Sequence, residues 1–278
     1  MSPFLIPHPT ATPAGASPAL RVATYNIHKG VRGIGPRKRL EIHNLERGVA
    51  SLGADVVMLQ EVRLFHHREA RRFAHGPESW PSQGQAEFLA PDGFHSVYRT
   101  NAVTRHGEHG NALLCRWPVG AVGHHDVSDH RFEQRGLLHV TFNWAGTTLH
   151  AVVAHFGLMH TSRVRQAQSV LDLIEREVPA GEPVIVGGDF NDWGEKLDPV
   201  FGQQGLIRAH VPARGTGGEA PAQAFGKPLS TFPSRVPVFA LDRFYTRGLR
   251  CVGAQVPRGL SWAQLSDHLP LVAEFERP

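Results

Sequence analysis

The sequence predicts an α/β layered protein built on mixed β-sheets. Three observations carry this. Strand-like apolar runs outnumber helix-like ones. Some of these runs follow one another at hairpin distance, while others are separated by amphipathic segments of helical length. No internal repeat recurs at a fixed period, and residues 21–278 read as one domain.

The elements follow in order. Residues 1–20 are rich in Pro, Ala, Ser and Thr. They lack the basic start of a signal peptide, and Pro3, Pro7 and Pro9 interrupt their apolar stretch, so a flexible tail is expected there, with a degenerate export signal as the alternative. From Arg21, RVATYNIH reads as a strand rich in β-formers. Ile42, Leu45, Val49 and Leu52 then recur at helical spacing, and Gly53 is a natural terminator. ADVVMLQEV is a buried strand, and the Arg- and His-rich residues 63–77 are helix or loop. Short apolar runs follow at 94–98, 110–115, 136–144 and 147–155. Residues 161–178 make the best helix, with Val164, Ala167, Leu171, Ile174 and Val178 on one face and Pro179 as its stop. PVIVGG is a buried strand, and residues 210–237, with many Gly and Pro, form a long loop. VFALDRFYT, LRCVGAQV and LPLVAEF close the chain as strands.

Composition excludes several classes. At 278 residues, 41% hydrophobic and 19% charged, the chain has ordinary globular proportions, and its apolar runs are too short for a transmembrane helix. Two cysteines, Cys115 and Cys251, rule out a disulfide framework and a cysteine-based zinc site, and both are expected as buried free thiols. Nothing demands an oxidising compartment, so a cytoplasmic location is expected. The net charge is +4, and of the 29 basic residues only four are Lys. Arginine suits phosphate recognition, though a GC-rich genome produces the same bias. The 18 His are many for this length.

Polar residues at the ends of apolar strands are the candidates for chemistry, because strand ends feed the loops that build sites. Six such places occur: Asn26 after RVATY, Glu61 after VVMLQ, His155 after LHAVVA, Asp189 with Asn191 in GGDFND, Asp242 in VFALD, and Asp267 with His268 in SDHLPLV. Each alone has an ordinary explanation as a turn or capping residue. Together, such a set of carboxylates, amides and imidazoles needs mutual neutralisation or a cation if the fold gathers it. Carboxylate and amide oxygens are hard donors suited to Mg²⁺ or Mn²⁺, and the absence of clustered Cys or an HExxH helix argues against zinc there. Such a set fits metal-assisted phosphoester hydrolysis.

The series TYNIH, LQE, GNALL, AHF, GDFND, LDRFY and SDHLP, spread over residues 21–276, closely resembles the endonuclease/exonuclease/phosphatase superfamily, which includes DNase I, abasic-site endonucleases, bacterial sphingomyelinases and inositol polyphosphate 5-phosphatases. NIHKG, HGNALL and GDFNDW are most similar to a small bacterial branch often encoded beside a cardiolipin synthase. The resemblance implies a four-layer sandwich, two packed mixed sheets flanked by helices, with the site at one edge. It implies Glu61 as the main Mg²⁺ or Mn²⁺ ligand, with Asn26 and Asp267 beside it. Asp189 would orient or deprotonate the attacking water, and Asn191 would hold a phosphate oxygen. Asp242 and Asp267 would bracket the His pair. His268 would be the general base or an oxyanion stabiliser, and His155 the general acid or a second phosphate contact. The family leaves the base open between Asp and His.

Two departures stand out. Some abasic endonucleases carry an Asp two residues after the first Asn; His28 stands there instead. A family Tyr near the phosphate is replaced by the stretch holding His106 and His109, so His109 and Asn111 are candidate phosphate contacts. Ser128-Asp129-His130 repeats the SDH tripeptide but precedes no apolar strand, and 124–135 reads as a polar, substrate-side loop. Arg135 in that loop is a further candidate for a phosphate or an acidic site residue.

Nucleic acid, DNA first, is the leading substrate reading, because Arg63, Arg68, Arg71, Arg72, His66 and His67 can form a phosphate-tracking surface, although Glu69 dilutes the run. A phospholipid headgroup or phosphorylated small molecule is the alternative. Against it stands the lack of a long amphipathic basic helix or an exposed aromatic hairpin; Phe225, Phe232 and Phe239 read equally well as core lid residues. A non-catalytic binding module is the remote third reading. No obligate protein partner is evident, and a monomer is expected.

Overall fold

A computed structural model describes residues 19–76, 78–130, 133–210 and 229–278. Most of the expected tail, and residues 211–228 of the expected long loop with Phe225, lie outside the described residues.

The first half runs β1 (Leu20–Asn26), a short pair β2 (Val31–Arg32) and β3 (Arg39–Leu40), α1 (Ile42–Ser51) and β4 (Val56–Val62). Then come α2 (His67–Arg72), α3 (Gln85–Phe88), β5 (His95–Thr104), β6 (Gly107–Cys115) and β7 (Val119–Asp126). The second half has β8 (Gly136–Trp144), β9 (Thr147–His155), α4 (His160–Glu177), β10 (Val184–Asp189), α5 (Asp198–Gly202) and β11 (Ile207–Arg208). It ends with β12 (Asp242–Arg247), β13 (Arg250–Gln255) and β14 (Leu271–Glu276).

Eleven longer strands and the two-residue β11 make two six-stranded mixed sheets, ordered β13-β14-β1-β4-β6-β5 and β11-β12-β10-β9-β8-β7. In each sheet one parallel pair requires a crossover, and a helix supplies it: α1 between β1 and β4, α4 between β9 and β10. Alternation along each strand then sorts the side chains. Val22, Met58, Leu113, Leu138, Val153, Ile185 and Phe244 meet between the sheets. Ala23, Tyr25, Val57 and Leu59 turn outward to meet Ile42, Leu45 and Val49 of α1. Val152, Ala154, Val184 and Val186 do the same under Ala167, Leu171 and Ile174 of α4. The result is the four-layer sandwich, helix–sheet–sheet–helix.

Several expectations need correction. The polar loop expected at 124–135 is in part strand: β7 pairs with β8 along the sheet edge, and its half-exposed face accounts for His124, His125 and Asp126. Asp242 opens β12, and Asp267 and His268 precede β14, so these three lie before strands. They still reach the same edge because β12 and β14 run antiparallel to β10 and β1. Cys115 is buried as expected, but Cys251 on β13, at the margin of its sheet, is only half-buried.

Candidate active site

The register explains why distant residues converge. β9 and β10 run in parallel with His155 opposite Asp189, and antiparallel β12 sets Asp242 opposite Asp189 from the other side. In the first sheet, Asn26 pairs with Gln60, which places Glu61 one residue beyond. Both sheets thus end at one edge, and Asn26 Nδ2 spans the gap between them to donate to Asp189 Oδ2 at 3.1 Å.

At the centre is a buried chain of charge. Thr231 Oγ1 donates to Asp242 Oδ2 at 2.6 Å, and that oxygen faces His268 Nδ1 at 2.8 Å. His268 Nε2 points at Asp189 Oδ2, 3.6 Å away, and His155 Nε2 approaches the same oxygen at 3.7 Å. Burial favours a neutral His268 ring, but the Asp242 and Asp189 carboxylates overcome this and push it up to about 10. Burial raises the Asp189 carboxyl, and Asp242 adds to the effect while His268 opposes it. His155 is pushed down to about 4 by burial and by the nearby Arg135 cation. The site therefore pairs a charged imidazole with a neutral one.

A second acidic group lies beside it. Glu61 Oε2 is 2.7 Å from Lys29 Nζ, and Asp267 Oδ2 is 3.3 Å from His28 Nδ1. Both partners come from one tight turn in which His28, Lys29 and Gly30 all have positive φ (45°, 62° and 69°). A Cβ at Gly30 would come within 2.6 Å of Gln85 Nε2, and that amide donates to Lys29 O at 2.9 Å, so the turn is held from below. Burial opposes ionisation of Glu61, but Lys29 more than offsets it and holds the carboxyl well below its ordinary value. Asp267 is likewise lowered, burial opposing and His28 prevailing.

The GDFND segment is locked from both ends. Asn191, at φ 48°, donates its backbone N–H to Asp189 Oδ1 at 3.0 Å and its amide to Phe156 O at 2.9 Å. Asp192 forms a fully buried pair with Arg243, with Nη1 to Oδ2 at 2.8 Å.

The remaining candidates fare differently. His109 on β6 lies near Glu61; burial and the Lys29 charge push it down to about 4. Asn111 is fully buried, and its amide nitrogen donates to Gly136 O at 2.9 Å and Val153 O at 3.2 Å. Both its N–H groups are thus committed, and none is left for a phosphate. Arg135 pairs with Glu133 at 3.2 Å and donates to Phe156 O, so it braces the loop after β9 and is not bonded to an acidic site residue. Arg63 and Lys38 both engage the buried Glu69, so the expected basic surface is partly neutralised from within. An exposed aromatic turn, which was not expected, does exist. Phe232 and Phe239 bridge, Trp193 packs on Phe239 at 4.8 Å, and Phe232 touches the His268 ring at 4.9 Å. Sequence reasoning also missed Thr231, Lys29 and the Asp192–Arg243 pair; NIHKG and LDRFY contained the latter two as charged residues beside candidate positions.

Glu61, Asp267 and Asn26 offer an all-oxygen donor set that suits Mg²⁺ or Mn²⁺. Asp189, Asp242 and His268 also place ligating atoms within 4.8 Å of one another. In that trio His268 is hydrogen-bonded to Asp242 and 3.6 Å from Asp189, whereas Asp242 Oδ1, buried, has no hydrogen-bond partner among the described residues. The carboxylates at this edge thus fit a divalent cation.

Two packed α/β sheets with buried carboxylates and imidazoles at their shared edge define a phosphoesterase class of fold and site. The chain belongs to the endonuclease/exonuclease/phosphatase family, whose model matches residues 23–268. Members of that family are generally hydrolytic phosphoesterases that depend on a divalent metal. The chain is 35% identical to the Escherichia coli K12 protein YbhP over 264 residues, covering 92% of this chain and 96% of that one. Among solved structures it is similar to an endonuclease/exonuclease/phosphatase from Bacteroides vulgatus (TM-score 0.68, 19% identity, 94% and 100% of the two chains). It is also similar to the human nocturnin catalytic domain with bound sulfate (TM-score 0.67, 18% identity, 94% of each chain). A third neighbour is D. rerio TDP2 complexed with single strand DNA product (TM-score 0.63, 16% identity, 93% and 99%). At these identities the solved structures show the fold alone.

Proposed function

We propose that this protein is a divalent-cation-dependent phosphodiesterase that cuts nucleic acid, DNA in the first instance. The observation that carries the reading is the buried Asp242–His268–Asp189 chain standing beside Glu61 and Asp267 at one edge. Glu61, with Asn26 and Asp267 beside it, would hold Mg²⁺ or Mn²⁺, which supplies Lewis-acid neutralisation of phosphate charge when bound.

The chain's own groups divide the remaining work. Asp189, its carboxyl raised by burial, orients a water and takes its proton as the water oxygen attacks phosphorus in line and the opposite P–O ester bond breaks, the leaving oxygen taking a proton from solvent. His268, kept charged by two carboxylates, stabilises the negative charge that grows on the phosphoryl oxygens. His155, neutral, donates a hydrogen bond to phosphate, and Asn191 holds a second phosphate oxygen. Asp242 orients His268, and Thr231 orients Asp242.

Two cationic cavities support a polyanionic substrate. One of about 490 Å³ is lined by Arg32, Arg37, Lys38, Arg39 and Arg235. The next, of about 520 Å³, shares Lys38 and adds Arg63, Arg68, Arg72 and His66. Trp193 and Phe239, 43% and 38% exposed, offer flat faces on which a base can stack. The structural likeness to TDP2 and nocturnin supports the same reading. One observation favours a phospholipid instead: Leu158 and Met159, 63% and 59% exposed, extend the apolar rim just beyond His155 and Phe156.

The test is plasmid nicking with Mg²⁺ or Mn²⁺, comparing the wild type with Asp189→Asn and His268→Ala. The wild type is expected to nick and to stop in chelator, and each variant to lose about 10²–10⁴-fold while staying folded. Undiminished nicking by either variant overturns the site. Absence of nicking by every form, with headgroup release from phospholipid vesicles by the wild type alone, replaces the nuclease reading with the lipid one.

A further inference from the structure

The fold gathers a second set of potential ligands on another face of the second sheet, under α4. His125 on β7, His139 on β8 and His150 on β9 lie on the outer face of the second sheet, beneath the end of α4. Glu177, the last residue of α4, and Glu182, in the turn before β10, close over them. In the sheet register His139 is level with Val152 and His125 with Ala154, so these backbones stand roughly 10 Å from His155 by strand rise and strand spacing, with their side chains on the outer face.

Its geometry is that of a metal site. His125 Nε2 lies 3.6 Å from Glu177 Oε1, and His139 Nδ1 lies 3.1 Å from Glu177 Oε2. The ligating atoms of the three residues all fall within 4.8 Å of one another. Tetrahedral coordination with bonds of about 2.0–2.2 Å puts neighbouring ligand atoms about 3.3–3.6 Å apart, close to these two separations. His125 Nε2 is shielded from solvent and makes no hydrogen bond among the described residues. The space beside it is kept open by Gly123, where a Cβ would come within 3.0 Å of that same nitrogen.

Hydrogen-bond accounting leads to the same conclusion independently. Glu177, His139, His150 and Glu182 form a chain of three links, 3.1, 2.9 and 2.7 Å long. Three links need three protons, and two neutral imidazoles bring two. One link is therefore left without a proton unless a further positive charge enters this buried chain. A cation on His139 Nδ1 supplies it. His139 Nε2–H then donates to His150 Nδ1, and His150 Nε2–H donates to Glu182, with both rings neutral. This is the carboxylate–histidine–metal arrangement that orients a ligating imidazole.

We infer that His125, His139 and Glu177 form a transition-metal site, separate from the catalytic edge, that takes Zn²⁺ or a similar borderline cation. Two imidazole nitrogens and one carboxylate suit Zn²⁺, with water in the fourth position, and discriminate against Mg²⁺. The chain thus holds two sites of different chemistry: hard oxygens at the catalytic edge, imidazoles here.

The test uses the full chain carrying Glu61→Gln, stripped with chelator, so that the catalytic edge contributes least. Zn²⁺ titration by calorimetry should show one equivalent bound, and Co²⁺ should give the intense visible bands of a four-coordinate ion. His125→Ala, whose ring is partly exposed, should abolish that equivalent without loss of fold by circular dichroism. Glu182→Gln should weaken it about 10–100-fold through His150. Zn²⁺ uptake unchanged in His125→Ala overturns the assignment. So does a parent chain that takes up no Zn²⁺, and in that case a proton shared by the two rings completes the chain.

Discussion

His268 sets the pH behaviour of the catalytic edge. Its pKa, about 10 in the fold, lies above the ordinary ~6.5 of an unfolded histidine. The sign follows from linkage. The stabilisation it receives from Asp242 and Asp189 is complete below about pH 6.5 and is lost as pH rises through about 10. Urea unfolding of the wild type should therefore show falling stability between those limits, and His268→Gln should flatten that fall; equal slopes in both would refute the pairing. At this scale the sequence was informative wherever a polar residue bordered an apolar strand, as with Asn26, Glu61, His155 and Asp189. It was silent on Thr231, whose partner Asp242 is eleven residues away, and on the two carbonyls that hold the Asn111 amide. For Asn111, residue type suggested a phosphate, but backbone carbonyls had already taken both its N–H groups.

The two sheets impose their own demands on single elements. β6 passes so close to β5 that a Cβ at Gly110 would sit 1.9 Å from Arg99 O, a backbone atom that cannot swing aside. Gly110→Ala should cost about 1–3 kcal/mol in denaturant unfolding, as overpacking does, and a cost near zero would mean that β5 is free to shift. Leu171→Ala should cost about 2–5 kcal/mol, because α4 packs this residue fully buried against the second sheet. Helices α1 and α4 and most long strands were legible because each buries one face and so writes its period into the sequence. β7 was not, because an edge strand that shows polar residues to solvent has no apolar alternation to read. The His and Glu set beneath α4 was invisible for another reason: its ligands stand at 125, 139 and 177, a spacing without local pattern.

The molecule as a whole presents cationic cavities to whatever enters the catalytic edge. If the substrate is nucleic acid, binding of single-stranded DNA to Asp189→Asn should weaken with salt, with a log–log slope of about 0.7 for each phosphate neutralised. Replacing Arg37 and Arg68, one from each cavity, should lower that slope by about 1.4, and a slope near zero in the parent would exclude a phosphate-tracking surface. The layered architecture was legible from alternating strand and helix patterns, and the family resemblance supplied its four layers. The place where the two sheets meet was not legible, because it depends on bonds such as Asn26 to Asp189 that join positions 163 residues apart.

Asn111 belongs to the first sheet, yet both carbonyls it holds belong to the second. On the proposed reading, catalysis depends on registration between two plates, packed on an apolar core and tied at the edge by amides such as Asn26 and Asn111. A slip smaller than one side chain would part Asn26 from Asp189 and leave every strand ladder intact. Heat or mild denaturant should silence such an enzyme before it unfolds, so that secondary structure outlasts activity and overstates the range in which the protein can work.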